Sequence, residues 1–265
     1  MCFEFDARPP DLPADLIGPV AGGAGAELLT LESADGTRFS AALAGSAHAA
    51  EGPGVVILPD VRGLYRFYIE LAERFAEAGR HAIAIDYFGR TAGVGERDEH
   101  FDYWPHVMET TPERVQADAG AAVEALKERT GVSTAVTVGF CFGGLQSFLA
   151  DTNPELDLAG AVGFYSALNT ARFGVPSPID EAPKMRGPVL GLFGGADENI
   201  PAELIEQFDR SLADAGVEHE IKVYAGAPHS FFDRKYDEFQ EACADAWRRV
   251  LGFLGGVEER VGSRE

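Results

Sequence analysis

Val136-Thr137-Val138-Gly139-Phe140-Cys141-Phe142-Gly143-Gly144 is the stretch whose reading decides the fold. A β-branched run stops at a glycine, one cysteine follows, and two more glycines open an amphipathic stretch at Leu145, so the segment reads as strand, tight turn, helix. The spacing is that of the nucleophile elbow G-x-S-x-G with Cys in place of Ser, in which the central residue sits on a strained turn at the end of a sheet. Side chains two positions before and after the apex would collide as the chain reverses, which makes Gly139 and Gly143 informative. The apex also lies at a predicted helix N-terminus, where unpaired N–H groups favour negative charge.

Working outward, Gly54–Pro59 is a short continuous apolar run, as expected of a strand buried on both faces, and Ala82–Ile85 is another. Between them Phe67, Tyr68, Leu71, Phe75 and Ala78 recur at helical spacing until Gly79 stops the helix. Thr111-Pro112 opens the helix that leads into the elbow strand, with Val115, Ala119, Ala122, Val123 and Leu126 on its inner face. Beyond the elbow, Leu158–Tyr165, Pro188–Phe193 and Ile221–Tyr224 read as strands and Pro201–Gly216 as a helix. A final helix is expected to pack Tyr236, Phe239, Cys243, Trp247 and Val250 inward. Glu27–Ala44 alternates around Asp35-Gly36, the signal of a hairpin. Such alternation predicts an α/β fold: a mostly parallel sheet with helices on both faces and an N-terminal antiparallel hairpin. The expected organisation is an irregular arm over 1–26, one domain over 27–254 and a polar tail over 255–265. Tyr87–Thr110 shows no clear period, and a loop that long is usually functional.

The 265 residues carry 22 Lys+Arg against 43 Asp+Glu, a net charge of −21 that disfavours nucleic acid and anionic membrane surfaces as partners. The first residues lack a basic and apolar leader pattern and no apolar run would span a bilayer, so the expected location is cytoplasmic. Three cysteines, Cys2, Cys141 and Cys243, are too few and too scattered for a disulfide framework or a zinc site. Cys2 and Cys243 read as small buried hydrophobes. No glycine-rich phosphate loop or CxxC spacing is present, so neither cofactor nor metal is expected.

In an open parallel sheet, ligands bind beyond the carboxyl ends of the strands. Asp60, Cys141, Asp197 and His229 each follow a predicted strand, so the fold would gather them there. The chain order nucleophile, acid, histidine is that of the α/β-hydrolase triad. The chemistry asks for these types: a soft nucleophile, an imidazole to take its proton, and a carboxylate to fix the imidazole tautomer. The backbone N–H groups of Phe142 and Val61 are candidate oxyanion donors. Bland roles stand beside these. Asp197 could cap the helix at Pro201, His229 could be a packed loop histidine, and Asp60 and Asp86 could be loop caps, the role assigned to Asp86.

Gly139-Phe140-Cys141-Phe142-Gly143-Gly144, Gly194-Gly195-Ala196-Asp197 and Pro228-His229-Ser230-Phe231 together resemble the dienelactone hydrolase family, α/β-hydrolases with a cysteine nucleophile. The resemblance spans about residues 27–254. It implies the triad Cys141, Asp197 and His229, an oxyanion hole from the Val61 and Phe142 N–H groups, and cofactor-free hydrolysis of a small ester or enol-lactone through an acyl-enzyme. It also implies an acidic residue beside the thiol. That residue is Asp60 here, one methylene shorter than the family's usual Glu. In the family two arginines hold a substrate carboxylate, and Arg97 fits one by spacing whereas Arg234 is displaced by about one residue. Arg97, Phe101 and Trp104, at intervals of four and three, are expected on one side of a short helix, with Arg62 and Arg234 also near the cysteine. A carboxylate-bearing substrate is the resulting expectation, against solvated arginines in surface ion pairs. Two other functions share the pattern: an acyl or thioester transferase using the same triad, and a non-catalytic binding protein on a hydrolase scaffold. The oligomeric state is left between monomer and homodimer.

Overall fold

The computed structural model describes residues 6–17, 25–45, 52–95, 97–171 and 173–262. The elements follow in chain order as β1 (Glu27–Glu32), β2 (Arg38–Ala44), β3 (Gly54–Leu58), α1 (Arg66–Glu77), β4 (Ala82–Ile85), α2 (Gly89–Ala92), α3 (Tyr103–Glu109), α4 (Pro112–Thr130), β5 (Ala135–Phe140), α5 (Phe142–Ala150), β6 (Leu158–Phe164), α6 (Pro178–Glu181), β7 (Val189–Gly194), α7 (Ala202–Ala215), β8 (His219–Tyr224) and α8 (Gln240–Gly262).

The strands form one sheet in the order β1-β2-β4-β3-β5-β6-β7-β8. β1, β2 and β4 pair antiparallel, and every pairing from β4 through β3 to β8 is parallel. The chain moves outward from β3 to β4 and then returns to place β5 on the other side of β3, which is the switch point where an open sheet leaves a crevice. In that register Leu58 stands opposite Gly139, so the loop after β3 runs beside the elbow.

Alternation along the central strands explains why both faces are covered. Val55 and Ile57 of β3 and Val136, Val138 and Phe140 of β5 enter one core with α1 and α8, whereas Val56 and Leu58 enter the other with α4. The first core carries an aromatic cluster directly beneath the elbow, in which Phe140 stacks on Phe164 at 4.6 Å and Phe164 meets Phe232 at 4.6 Å. α4 begins as its sequence demands: the Thr111 hydroxyl accepts the Arg114 N–H, and Pro112 occupies the first turn.

Four local expectations are corrected. Tyr87–Thr110 is not a plain loop but contains α2 and α3. Arg97 and Phe101 precede α3, so Arg97, Phe101 and Trp104 do not share a helix; the segment between the two helices turns instead around Asp98, whose carbonyl accepts the Phe101 N–H. The last helix starts at Gln240, after a series of turns that holds Tyr236 and Phe239. It runs on to Gly262, through most of the segment expected as a polar tail, because Val257 continues the buried stripe of Val250 and Leu254. In the arm, residues 14–16 form a 3₁₀ turn, Leu12 is buried, and Trp247 donates its indole N–H to the Pro10 carbonyl at 3.2 Å. The reading of Cys2 lies outside the described residues.

Candidate active site

The elbow is built as its glycines require. Cys141 takes φ 54° and ψ −109°, a conformation that non-glycine residues rarely adopt. A Cβ on Gly139 would strike the Gly143 carbonyl, and one on Gly143 would strike the carbonyls of Leu58 and Pro59. The turn is anchored by the Cys141 N–H donating to Phe164 O at 3.0 Å. Phe142 begins α5, so its N–H has no intrahelical acceptor. The Val61 N–H has no hydrogen-bond partner among the described residues, on a loop pinned from three sides. Tyr87 donates its hydroxyl to the Pro59 and Asp60 carbonyls, the Asp60 N–H donates to the Tyr68 hydroxyl at 3.0 Å, and the Gly63 N–H donates to Asp60 O at 3.1 Å.

Asp197, just past β7, and His229, in the loop after β8, meet at 2.6 Å between Oδ2 and Nδ1. The other Asp197 oxygen accepts the Asn199 N–H at 2.9 Å, which fixes the carboxylate plane. Burial disfavours the His229 imidazolium, but the charge of Cys141, the Asp197 hydrogen bond and a hydrogen bond to the Cys141 side chain outweigh it and raise the pKa to about 11. The structure thus brings Cys141, His229 and Asp197 together, with an imidazole between a carboxylate and a thiol.

Asp60 also lies here, buried, but its carboxylate is held by its own neighbour. Arg62 grips it through Nε at 3.0 Å to Oδ1 and Nη2 at 2.6 Å to Oδ2, while the Arg62 backbone N–H donates to Oδ1 at 2.9 Å. The Arg62 guanidinium lies over the Tyr65 ring at 3.9 Å and reaches 3.9 Å from Asp233. Arg97 is buried in an ion pair with Asp86 at 2.7 Å, donates to Gly93 O at 2.6 Å and packs on the Phe101 ring at 4.7 Å. Asp86 is thus the seat of a guanidinium as well as a partner of the Leu64 N–H. Phe101 stacks on His106 at 5.0 Å, and Trp104 is 45% exposed. Arg234 is half-buried, its backbone N–H on Asp233.

Two neighbours of the histidine escaped the sequence reading. Tyr165 lies with its ring 4.9 Å from the imidazole and donates its hydroxyl to Asp233 at 3.2 Å. Burial raises the Asp233 carboxyl to about 6, with Arg62 opposing and Asp60 reinforcing the shift. Tyr165 is read from the sequence as the last residue of a strand; β6 ends one residue earlier, which puts Tyr165 at the same sheet edge as Asp60, Cys141 and Asp197. Asp233, four residues beyond His229, carries no comparable signal. Among the described residues, no group of three or more His, Cys, Asp or Glu side chains is arranged to hold a metal ion.

An eight-stranded sheet of this order, with a strained cysteine between β5 and α5 and an Asp–His pair beyond β7 and β8, defines an α/β-hydrolase. The family can be named as well: residues 39–257 match the dienelactone hydrolase family, and the chain belongs to it. A Yersinia pestis protein provisionally named a carboxymethylenebutenolidase is 30% identical over 213 residues, covering 78% of this chain and 79% of that one. A Methylorubrum extorquens protein with the same provisional name is 29% identical over 211 residues, covering 76% and 72%. The crystal structure of a Klebsiella pneumoniae protein, provisionally a dienelactone hydrolase, superposes with a TM-score of 0.74 at 26% identity, covering 86% of this chain and 99% of that one.

Proposed function

We propose that the protein hydrolyses a small carboxylic ester or enol-lactone through an acyl-enzyme on Cys141. The observation that carries the reading is the Asp197–His229 contact of 2.6 Å beside the strained elbow cysteine. His229 takes the thiol proton, and the sulfur attacks the substrate carbonyl. The resulting oxyanion lies between the N–H groups of Val61 and Phe142. As the carbonyl re-forms, the C–O bond breaks and His229 returns the proton to the departing alkoxide or enolate. Water, losing a proton to His229, then attacks the thioester; the C–S bond breaks, the acid is released and His229 gives that proton back to the sulfur. Asp197 holds the imidazole tautomer throughout.

The family and its named relatives support ester or lactone substrates. The reading includes a small-molecule substrate, no nucleic-acid or membrane partner, a monomer or homodimer, and a reducing cytoplasmic setting in which the thiol stays free. No helix among the described residues is long and apolar enough to cross a membrane. The test is a screen of enol-lactones and activated esters against wild type and Cys141→Ala. Turnover by wild type, lost in the variant, is expected, with a covalent acyl adduct on Cys141 in quenched-flow mass spectrometry. Turnover that survives Cys141→Ala refutes the mechanism.

A further inference from the structure

Resting on the hydrolase reading, we infer that Trp247 is a positioning residue for His229 and that the N-terminal arm is the clamp that holds it. The arm lies outside the family match, which begins at residue 39. It is nonetheless built into the core. Pro9, Pro10 and Leu12 are buried, and prolines at 9, 10 and 13 stiffen the backbone around them. Asp11 pairs with Arg74 of α1 at 3.2 Å and Asp15 with Arg248 of α8 at 3.0 Å, so the arm straddles both helices. Exposed pairs of this kind hold weakly. The stronger tie is buried: Trp247, 1% exposed, donates its indole N–H to the Pro10 carbonyl at 3.2 Å, and out of reach of water that donor needs the carbonyl.

From Trp247 the contact reaches the base in two steps. Its ring meets Phe75 of α1 at 5.1 Å and Phe232 at 5.4 Å, and Phe232 lies three residues past His229. One turn earlier on α8, Cys243 donates to the Phe231 carbonyl at 3.4 Å. α8 therefore grips both residues that follow Ser230. Ser230 has φ 60°, a backbone that a residue with a side chain keeps only where its surroundings impose it. The strain sits next to His229, so whatever fixes Phe231 and Phe232 fixes the direction in which the imidazole leaves the chain. Phe232 also backs the nucleophile, since its ring lies 4.6 Å from Phe164 and 6.1 Å from Phe140, the residue before Cys141. With the arm lifted, the Trp247 N–H turns toward water and Phe232 loses the ring behind it. The fold persists, but the base no longer stands steadily over the sulfur.

Three full-length variants test this. Trp247→Phe deletes the indole donor and shortens the ring, Leu12→Asp lifts the arm and leaves Trp247 in place, and Leu12→Met keeps a buried apolar side chain. Each is assayed in conditions where urea titration shows it folded, and Leu12→Asp serves if Trp247→Phe does not fold. On an activated ester, Trp247→Phe and Leu12→Asp are expected to lower kcat by roughly tenfold or more with KM within about threefold, and Leu12→Met to restore kcat to within about twofold. The second readout needs no turnover. Iodoacetamide loses iodide to the Cys141 thiolate and forms a thioether, followed by peptide mapping. At pH 7, where the imidazole must take the thiol proton, alkylation in both disruptive variants is expected to slow by roughly fivefold or more; at pH 10, where hydroxide takes it, the rates are expected to match wild type.

Variants that unfold more readily yet keep wild-type kcat and pH 7 alkylation assign Trp247 to stability alone and overturn the inference. Alkylation slowed equally at pH 7 and pH 10 assigns the effect to access to the sulfur, and overturns it as well. The arm is checked by fluorescence: the chain has two tryptophans, and in a Trp104→Phe background used for emission alone, Leu12→Asp is expected to shift the Trp247 emission to the red. An emission that does not move, or a red shift with both readouts unchanged, overturns the clamp. If wild type turns over no ester while pH 7 alkylation falls as expected in the variants, the hydrolase reading fails and the positioning role stands.

Discussion

Asp197 and His229, separated by 32 residues of chain, face each other at 2.6 Å with the carboxylate fixed on its far side by Asn199. A carboxamide at 197 could donate to the imidazole instead of accepting from it, leaving the wrong tautomer toward Cys141. Asp197→Asn should therefore lower kcat by roughly 10²–10⁴ while circular dichroism stays unchanged. Steady-state hydrolysis of an activated ester is the measurement, and a loss below tenfold would show that Asp197 does not orient the base.

The two described cysteines should separate cleanly in reactivity. Cys243 is buried on α8, its thiol is pushed up to about 12 by burial and by Asp233, and it donates to Phe231 O at 3.4 Å. Stoichiometric alkylation of the native protein at pH 7.5 should label Cys141 and leave Cys243 intact until denaturant is added. Early modification of Cys243 would contradict the elbow reading.

Removal of the Arg62 guanidinium leaves two buried carboxylates facing each other. Arg62→Met should cost about 3–5 kcal/mol in urea unfolding. Adding Asp60→Asn should recover at least half of that loss, since the uncompensated charge, not the missing volume, is the larger cost. A double variant no more stable than the single one would assign the loss to packing.

Gly143→Ala must push a methyl group into the carbonyls of Leu58 and Pro59. About 1–3 kcal/mol of destabilisation is expected. Those carbonyls lead directly into Val61, so Cys141 alkylation and ester turnover should both fall by more than tenfold even in the folded fraction. Native-like turnover would mean that the elbow tolerates a side chain where the geometry allows none.

His229 gives a pH signature of known sign. Its folded pKa is raised from 6.5 to about 11, so its contribution to stability is fully present below pH 6.5 and is lost as pH climbs through 11. The gap in Tm between wild type and His229→Gln should be widest near pH 6 and close toward pH 11. A gap that widens with pH would reverse the assignment.

How much of this was legible in the sequence depends on which force decides each residue's place. Gly139 and Gly143 could be read because a steric requirement at a chain reversal leaves no alternative residue. Asp197 and His229 could be read because parallel strands deliver their ends to one edge. The partners of Arg62 and Arg97 could not. Arg62 meets Asp60 because Gly63, at φ 74°, and the hydroxyls of Tyr68 and Tyr87 shape a loop whose path leaves no periodic trace. Arg97 reaches Asp86 because the segment before α3 turns around Asp98, where regular spacing suggested a helix. Charge pairing in loops follows loop path, and hydropathy patterns are silent on that.

The parallel order of β3, β5, β6, β7 and β8 also bears on when the protein can first act. Each of these pairings joins segments far apart in the chain, and closing such loops is an entropic barrier that comes before any contact rewards it. Cys141 leaves the ribosome long before His229, and β7 and β8 must reach the sheet edge before the histidine can stand over the sulfur. A nascent chain therefore carries Cys141 before His229 can reach it. Onset of Cys141 chemistry during refolding marks the docking of the C-terminal strands, and fragments that end before β8 should remain inert however well their first strands assemble.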